Sequence, residues 1–326
     1  MQTSCLQCKF GEEAWSILSE IERSIKQKVE TIGIPLKDWD VEIYRGVLTG
    51  YNDAFIISSE KRDEILSNCV NEEEREKTAT LIRPILRGRD IKRYGYEWAN
   101  MYLISTFPAR HYDIEMYPAV KDYLLSFAYK SLIEEGHDWI ANNYLAEYCK
   151  KKLEQTGKDI VINGKYIVDQ QGHRDKSRKK TFNKWFETQD SISYWDEFSQ
   201  PKIIWKRVGS IIRFSYDEEG VLGLDSTCFA TGKDISYLCC LLNSSMGHYL
   251  LKDAPRTGTG DLLISVQAVE PLKVPRINGE EERFSEIVKR AIVSTSNELD
   301  KEIDNLIFDL YGLSVEEREF IVSNFR

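Results

Sequence analysis

The chain has no apolar run close to the roughly 20 residues that a membrane-crossing helix needs. Its first ten residues, Met1 to Phe10, lack the basic start and apolar stretch of a secretion signal, so the expected compartment is the cytoplasm. Cysteine is sparse and irregular. Seven of them, at 5, 8, 69, 149, 228, 239 and 240, make an odd number without the spacing of a disulfide framework. Cys5 and Cys8 form the one C-x-x-C, and no second pair or His-x3-His completes a zinc site; no metal is expected. The four histidines lie far apart and mark no catalytic triad. Glu-x-Lys is absent, and Asp90-Ile-Lys92 is the one Asp-x-Lys. A metal-dependent nuclease of the PD-(D/E)xK kind needs such a carboxylate–lysine pair, and this one lies inside a basic stretch where a structural role is the simpler reading. Gly258-Thr-Gly260 is a lone G-x-G and weak as a nucleotide loop.

What is present suits a folded protein. At 326 residues, 42% hydrophobic and 30% charged, the chain can bury a full core in one large or two smaller domains. Its net charge of −9 is unevenly spread. Residues 279–326 hold 12 acids and 6 bases, a net −6, so the remaining 41 acids and 38 bases leave −3 for the rest. Two segments there are basic. Arg83-Pro-Ile-Leu-Arg-Gly-Arg-Asp-Ile-Lys-Arg-Tyr94 has five bases to one acid, and residues 171–184 have six to one. Patchy charge of this kind can turn one face towards a polyanion even in an acidic chain.

Periodicity outlines the elements. Trp15, Leu18, Ile21, Ile25 and Val29 predict an amphipathic helix over about 11–32, ended by Gly33 and Pro35. Two apolar runs between Val41 and Ile57 flank a Gly/Asn turn and read as paired strands or a bulged turn. Residues 60–82 read as helix, Trp98 to Phe107 as strand, Pro118 to about Leu153 as helix, and 156–183 as a polar loop or long hairpin. Strands are expected at Ile203 to Trp205, Ile211 to Tyr216 and Val221 to Phe229. A buried helix is expected over Ile235 to Leu251, with Cys239 and Cys240 packed as small hydrophobes. The acidic C-terminal part predicts helices from Phe284 to about Leu310 and from Ser314, where Ser314-Val-Glu-Glu317 fits a capping box.

Five stretches in order resemble a known family. They are Ile43-Tyr-Arg-Gly-Val-Leu-Thr-Gly-Tyr-Asn-Asp-Ala-Phe-Ile-Ile57, the 83–94 segment, Asn183-Lys-Trp-Phe-Glu-Thr-Gln-Asp190, Phe198-Ser-Gln-Pro-Lys-Ile-Ile-Trp205, and Tyr237-Leu-Cys-Cys-Leu-Leu-Asn-Ser-Ser245 with Val274-Pro-Arg-Ile277 behind it. From about Leu36 to Ile277 the chain resembles the TaqI-like C-terminal specificity domain, the target-recognition region of fused restriction–modification enzymes that methylate adenine. The resemblance implies a mixed α/β (α+β) fold: twisted, mostly antiparallel sheets, peripheral helices, a helical N-terminal connector over 1–35 and a helical C-terminal tail over 278–326. It also implies sequence-specific binding of double-stranded DNA. Catalysis would come from a methyltransferase part, and an endonuclease part, in cis or in trans; S-adenosylmethionine would bind there. In this chain no two of the eight prolines are adjacent, so the Asn/Asp-Pro-Pro-Tyr catalytic motif is missing, and no cofactor is expected. The start just before the connector helix reads as an excised domain or a separate specificity subunit.

Base edges are read by Arg, Lys, Asn and Gln, while phosphate contacts fix register. Candidate DNA contacts are therefore Arg87, Arg89, Lys92 and Arg93 in the first basic segment and Arg174, Lys176, Arg178, Lys179 and Lys180 in the second. Arg256 and Thr257 in a Gly/Thr loop, and Lys202 beside Ile203-Ile204-Trp205, complete the set; one of Lys202 and Lys206 is expected to support the sheet edge and face solvent. The competing readings are a solvated loop salt-bridged to nearby Glu for the first cluster, a disordered basic loop that could still order on DNA for the second, and an ordinary surface turn at Arg256 and Thr257. Trp185, Phe186, Tyr194 and Trp195 read as core or, alternatively, as stacking platforms. Thr49, Tyr51 and Asn52 read as structural. A rival reading makes the chain an interaction module that docks a partner through Ile287, Leu299, Ile303, Leu306 and Leu310; a third makes it an enzyme fragment active when complemented.

Overall fold

The structure, a computed structural model, describes residues 19–124, 160–163, 166–169, 183–184, 186–277 and 279–325. Helix α1 (Glu20–Ile32) leads to strands β1 (Val41–Arg45) and β2 (Ile56–Ser58), helices α2 (Ser59–Ser67) and α3 (Glu72–Leu81), and strands β3 (Ile82–Leu86) and β4 (Met101–Ile104). Ile160–Asn163 and Tyr166–Asp169 pair as a separate antiparallel hairpin, in keeping with the expected loop or hairpin there. Strands β5 (Lys202–Lys206), β6 (Phe214–Asp217), β7 (Leu222–Gly223) and β8 (Thr227–Gly232) follow. Helices α4 (Ile235–Asn243), α5 (Ser245–Leu250), α6 (Glu281–Val293), α7 (Asn297–Leu310) and α8 (Val315–Phe325) complete the described chain. The fold is α+β, as expected.

Two four-stranded sheets organise it. The first runs β6-β5-β8-β1, antiparallel throughout; the second runs β7-β3-β4-β2, with the β7–β3 pair parallel. The first sheet is the middle layer. Ile203 and Trp205 of β5 enter one core while Ile204 enters the other, and on β8 Cys228 and Ala230 oppose Phe229 in the same way. Alternate residues face opposite sides of a strand, so burial of both faces requires an unbroken apolar run such as Ile203-Ile204-Trp205. Helices α1 and α4 to α8 close the first core. The second sheet, α2 and the segments around Phe107 to Leu124 and Phe186 to Trp195 close the second.

Several expected elements are divided or re-paired. The runs at 41–57 are not partners: β1 pairs with β8 and β2 with β4, in different sheets. Between them the chain crosses layers at Gly46, where a Cβ would stand 2.1 Å from the Leu224 carbonyl oxygen. The helix expected over 235–251 breaks at Ser244, whose extended backbone ends α4 and whose Oγ accepts from the Gly247 N–H at 3.1 Å to cap α5. Asn71 and Ser296 break the 60–82 and 284–310 stretches likewise, each capping the next helix. The strand expected over 98–107 shortens to β4. A helix occupies 118–124; the remainder of the stretch expected to be helical up to 153 lies outside the described residues.

Helix α1 is the later part of the helix expected over about 11–32; residues 11–18 lie outside the described residues. Ile25 and Val29 are buried in the first core, and α1 rests against α8. The capping box at Ser314 forms as expected: Glu317 N–H donates to Ser314 Oγ at 3.3 Å and Ser314 N–H donates to the Glu317 carboxylate at 2.6 Å. The same carboxylate accepts from Ser24 Oγ and Lys28 Nζ, both at 2.6 Å. Burial by itself would raise the Glu317 pKa, but hydrogen bonds from Lys28, Ser24 and Ser314 more than offset it and hold the group below its ordinary value. A carboxylate depressed in the fold stabilises above its unfolded pKa, about 4.3, and that contribution is lost as pH falls through the folded value. Glu317→Ala is expected to reduce stability at neutral pH by about 1–3 kcal/mol, read from urea unfolding, with a smaller difference from the parent chain below about pH 4.

Candidate nucleic-acid interface

The first basic segment starts inside β3, where Ile85 and Leu86 are fully buried and anchor it. Arg83 turns inward, its guanidinium donating to the Gly220 carbonyl at 2.7 Å. A tight turn follows. Asp90 N–H donates to the Arg87 carbonyl at 2.9 Å. The Asp90 carboxylate accepts from the Arg87 N–H at 2.8 Å, Nε at 3.1 Å and Nη2 at 3.0 Å. The Arg87 fork is thus held from within, and Asp90 is buried beneath it as a structural acid. Arg89 stands exposed on the turn and makes no ion pair or hydrogen bond among the described residues.

Gly88 brings this turn against the first sheet. Its N–H donates to Ser226 Oγ at 3.0 Å. A Cβ on Gly88 would stand 2.9 Å from Lys206 Cγ, and one on Gly209 would stand 3.2 Å from Lys206 Nζ. The stem of Lys206, at the end of β5, therefore runs between two glycines. Arg213, exposed, precedes β6. Arg89, Lys206 and Arg213 line one cleft of about 190 Å³ together with Ile91, Ser210 and Ile211. None of the three cations has an ion-pair partner among the described residues, and no Asp or Glu lines the cleft. Two like charges about 8 Å apart in water repel by about 0.5 kcal/mol. A cleft of this kind favours an anion that bridges its cations.

The other nominated residues are placed differently. Lys92 pairs with Glu97 at 2.9 Å on the surface. Arg93 ties the segment to the C-terminal helices: Nη1 meets Asp300 of α7 at 2.7 Å and Nη2 donates to the Asn243 carbonyl at 2.9 Å. Arg256 is exposed, with Nη1 donating to the Gly260 carbonyl at 3.0 Å, and the Thr257 hydroxyl bonds Thr259 at 2.8 Å. Their hairpin adjoins the cleft, because Leu262 bridges both Arg256 and Gly209. Two strand spacings, about 10 Å, separate Arg256 from Gly209. Arg174, Lys176, Arg178, Lys179 and Lys180 lie outside the described residues.

Lys202 is a correction. It is fully buried, ion-paired with Asp217, and donates to the Phe198 carbonyl at 2.6 Å. Burial lowers its pKa, and Asp217 opposes that shift. Asp217 also accepts from Tyr96 Oη at 2.9 Å and from the Gly220 and Val221 N–H groups at 3.2 Å. Of the two lysines flanking Ile203-Ile204-Trp205, Lys206 is the one in solvent. Arg213 was not nominated by the sequence. The signal available was strand alternation: Phe214 points into the core, so its neighbour points out.

The aromatics fill and cover the second core. Phe186 is buried, Tyr194 stacks on Tyr44 with centroids 4.7 Å apart, and the Arg110 guanidinium lies 3.7 Å over the Trp195 ring. Burial pushes the Tyr194 phenol up to about 12, and its hydroxyl donates to the Arg45 carbonyl. Trp185 is outside the described residues. Thr49, fully buried, donates to Asn52 Oδ1 at 2.6 Å and accepts from the Tyr51 N–H at 3.1 Å, a structural turn. No helix among the described residues is long and apolar enough to cross a membrane, and no group of three or more metal-ligating side chains occurs among them.

Residues 83–262, more than half of the chain, match the family model of the TaqI-like C-terminal specificity domain; the cleft lies wholly within that stretch. Among solved structures, the Type IIL restriction-modification enzyme MmeI in complex with DNA is similar at 9% identity and a TM-score of 0.49, over 89% of this chain and 36% of that one. The type IIG restriction endonuclease BpuSI is similar at 14% identity and a TM-score of 0.44, over 92% of this chain and 33% of that one. The chain spans about a third of the length of either enzyme. No curated protein matches it.

Proposed function

Because the chain belongs to the family of TaqI-like C-terminal specificity domains, we propose that it recognises a target sequence in double-stranded DNA for a restriction–modification enzyme. Methyl transfer, with its S-adenosylmethionine, belongs in this reading to a methyltransferase part in cis or in trans. The observation that carries the reading is the convergence of Arg89, Lys206 and Arg213, unpaired among the described residues, on an acid-free cleft. Lys and Arg that neutralise phosphates release counterions, and this term supplies essentially all of non-specific duplex affinity and a large share of the specific. The Arg256 hairpin, beside the cleft, extends the same surface. The rival docking face gains no support, since Ile287, Leu299 and Ile303 are buried and Leu306 and Leu310 pack on the same core.

The test is selection from a randomised duplex pool with the purified chain at low and moderate salt. Enrichment of a short motif is the expected result. Absence of duplex binding even at low salt would overturn the proposal. Gly209 gives a milder probe: Gly209→Ala places a methyl against the end of Lys206 and is expected to weaken duplex binding about three- to tenfold, with thermal stability little changed. Fluorescence anisotropy with a labelled duplex measures it.

A further inference from the structure

The 210–213 loop holds two isoleucines with opposite fates. Ile212 turns inward and packs against the first core, whereas Ile211 is 61% exposed. A single exposed isoleucine is ordinary on a protein surface, so its exposure alone assigns nothing. Its surroundings do. Ile211 lines the same cleft as Arg89, Lys206 and Arg213, an apolar side chain set among three cations.

The loop is also fixed at both ends. Before it, Val208–Gly209 pair with Leu262–Leu263. After it, the Phe214 N–H donates to Asn243 Oδ1 at 3.0 Å, and Asn243 Nδ2 donates back to the Phe214 carbonyl at 2.7 Å; Asn243 itself is buried. Four residues held between such supports present Ile211 in one place, the condition a contact of defined register requires.

We propose that Ile211 is a specificity-determining residue that touches the bases, while the cations around it hold backbone phosphates. The assignment rests on the DNA-recognition reading above and adds a division of labour within it. Phosphate contacts position a protein without reading sequence, whereas apolar contacts at base edges read it, the thymine methyl being the apolar feature of the major groove. Arg89, Lys206 and Arg213 supply charge of the sign phosphates need, and Ile211 supplies the apolar surface that phosphates cannot use.

Disulfide trapping of the full-length Ile211→Cys chain tests this. The probes are duplexes carrying a thiol tether either on successive bases or on the sugar–phosphate backbone. The parent chain, whose described cysteines are buried or half-buried, sets the background. The Ile211→Cys chain is expected to trap a base-tethered duplex roughly tenfold faster than any backbone-tethered one, because trapping falls steeply with separation, and Arg213→Cys is expected to show the reverse order. Trapping at the background rate, or faster on the backbone tether, would remove Ile211 from the bases while leaving DNA binding intact. A parent chain that binds no duplex at low salt would instead overturn the DNA reading and this assignment with it.

Discussion

Replacing Arg89 and Arg213 together by Ala is expected to lower the slope of log affinity against log salt by about two, and reversing both to Glu to weaken duplex binding about a hundredfold at moderate salt. Each phosphate neutralised contributes about 0.9 to that slope, so the salt series counts contacts and not merely affinity. Both side chains are exposed and without partners among the described residues, so their removal leaves no buried group unsatisfied, and the unfolding midpoint should stay within about 0.5 kcal/mol of the parent. The control is internal. Arg87 and Arg93 belong to the same basic segment, yet one is held by Asp90 and the other by Asp300 and Asn243. Arg87→Ala and Arg93→Ala are expected to lower stability by about 1–3 kcal/mol and to leave the salt slope unchanged. Equal slopes for all four substitutions would mean that the anion surface lies elsewhere.

Asp217→Ala should be among the most damaging single substitutions in the chain, with an expected loss of about 3–5 kcal/mol in denaturant unfolding. It would strand Lys202, fully buried, and at the same time deprive Tyr96 Oη and the Gly220 and Val221 N–H groups of their acceptor. Lys202→Met removes the stranded charge from the other side, so the double variant is expected to recover part of the loss, because two buried charges replaced together escape the penalty of one left unpaired. Duplex binding by the folded fraction should hardly change. Lys202 lies about 13 Å along β5 from Lys206, at the end of the strand away from the cleft. A Lys202→Met chain with normal stability and weakened DNA binding would contradict the placement of Lys202 in the interior.

The two lysines of β5 show where sequence reading ends. Lys202-Ile-Ile-Trp-Lys206 announces a strand, and its unbroken apolar centre announces burial on both faces. Nothing in those five letters says which lysine meets an acid, because Asp217 arrives from β6 through a pairing that only the sheet register defines. Arg87 and Arg89 are a similar case. Two arginines around one glycine look alike in sequence, and the turn closed by Asp90 makes one structural and leaves the other exposed. Legible features were local: the period of α1, the Ser314 capping box, the apolar anchor Ile85-Leu86. The breaks at Ser244 and Ser296 were also written in the sequence as N-cap residues, but apolar periodicity on either side concealed them. The cleft depends on three segments more than a hundred residues apart at the extremes, and Lys206 and Arg213 join Arg89 through tertiary packing alone.

The bond between Arg93 and Asp300 bears on how a chimera of two relatives should be cut. The stretch that matches the family model, 83–262, is not a transplantable unit. It lacks β1, an edge strand of the middle sheet, and it stops before α6 to α8. Phe284, Ile287, Ile303, Ile307 and Tyr311 would be left behind, five nearly fully buried side chains that together contribute on the order of 10 kcal/mol, comparable to the whole stability of an ordinary domain. Arg93 and Ser245 would lose their carboxylates as well. A workable graft either carries the chain from Glu20 to Phe325 or exchanges only the surface loops at 87–90, 210–213 and 256–261, leaving the recipient's scaffold in place.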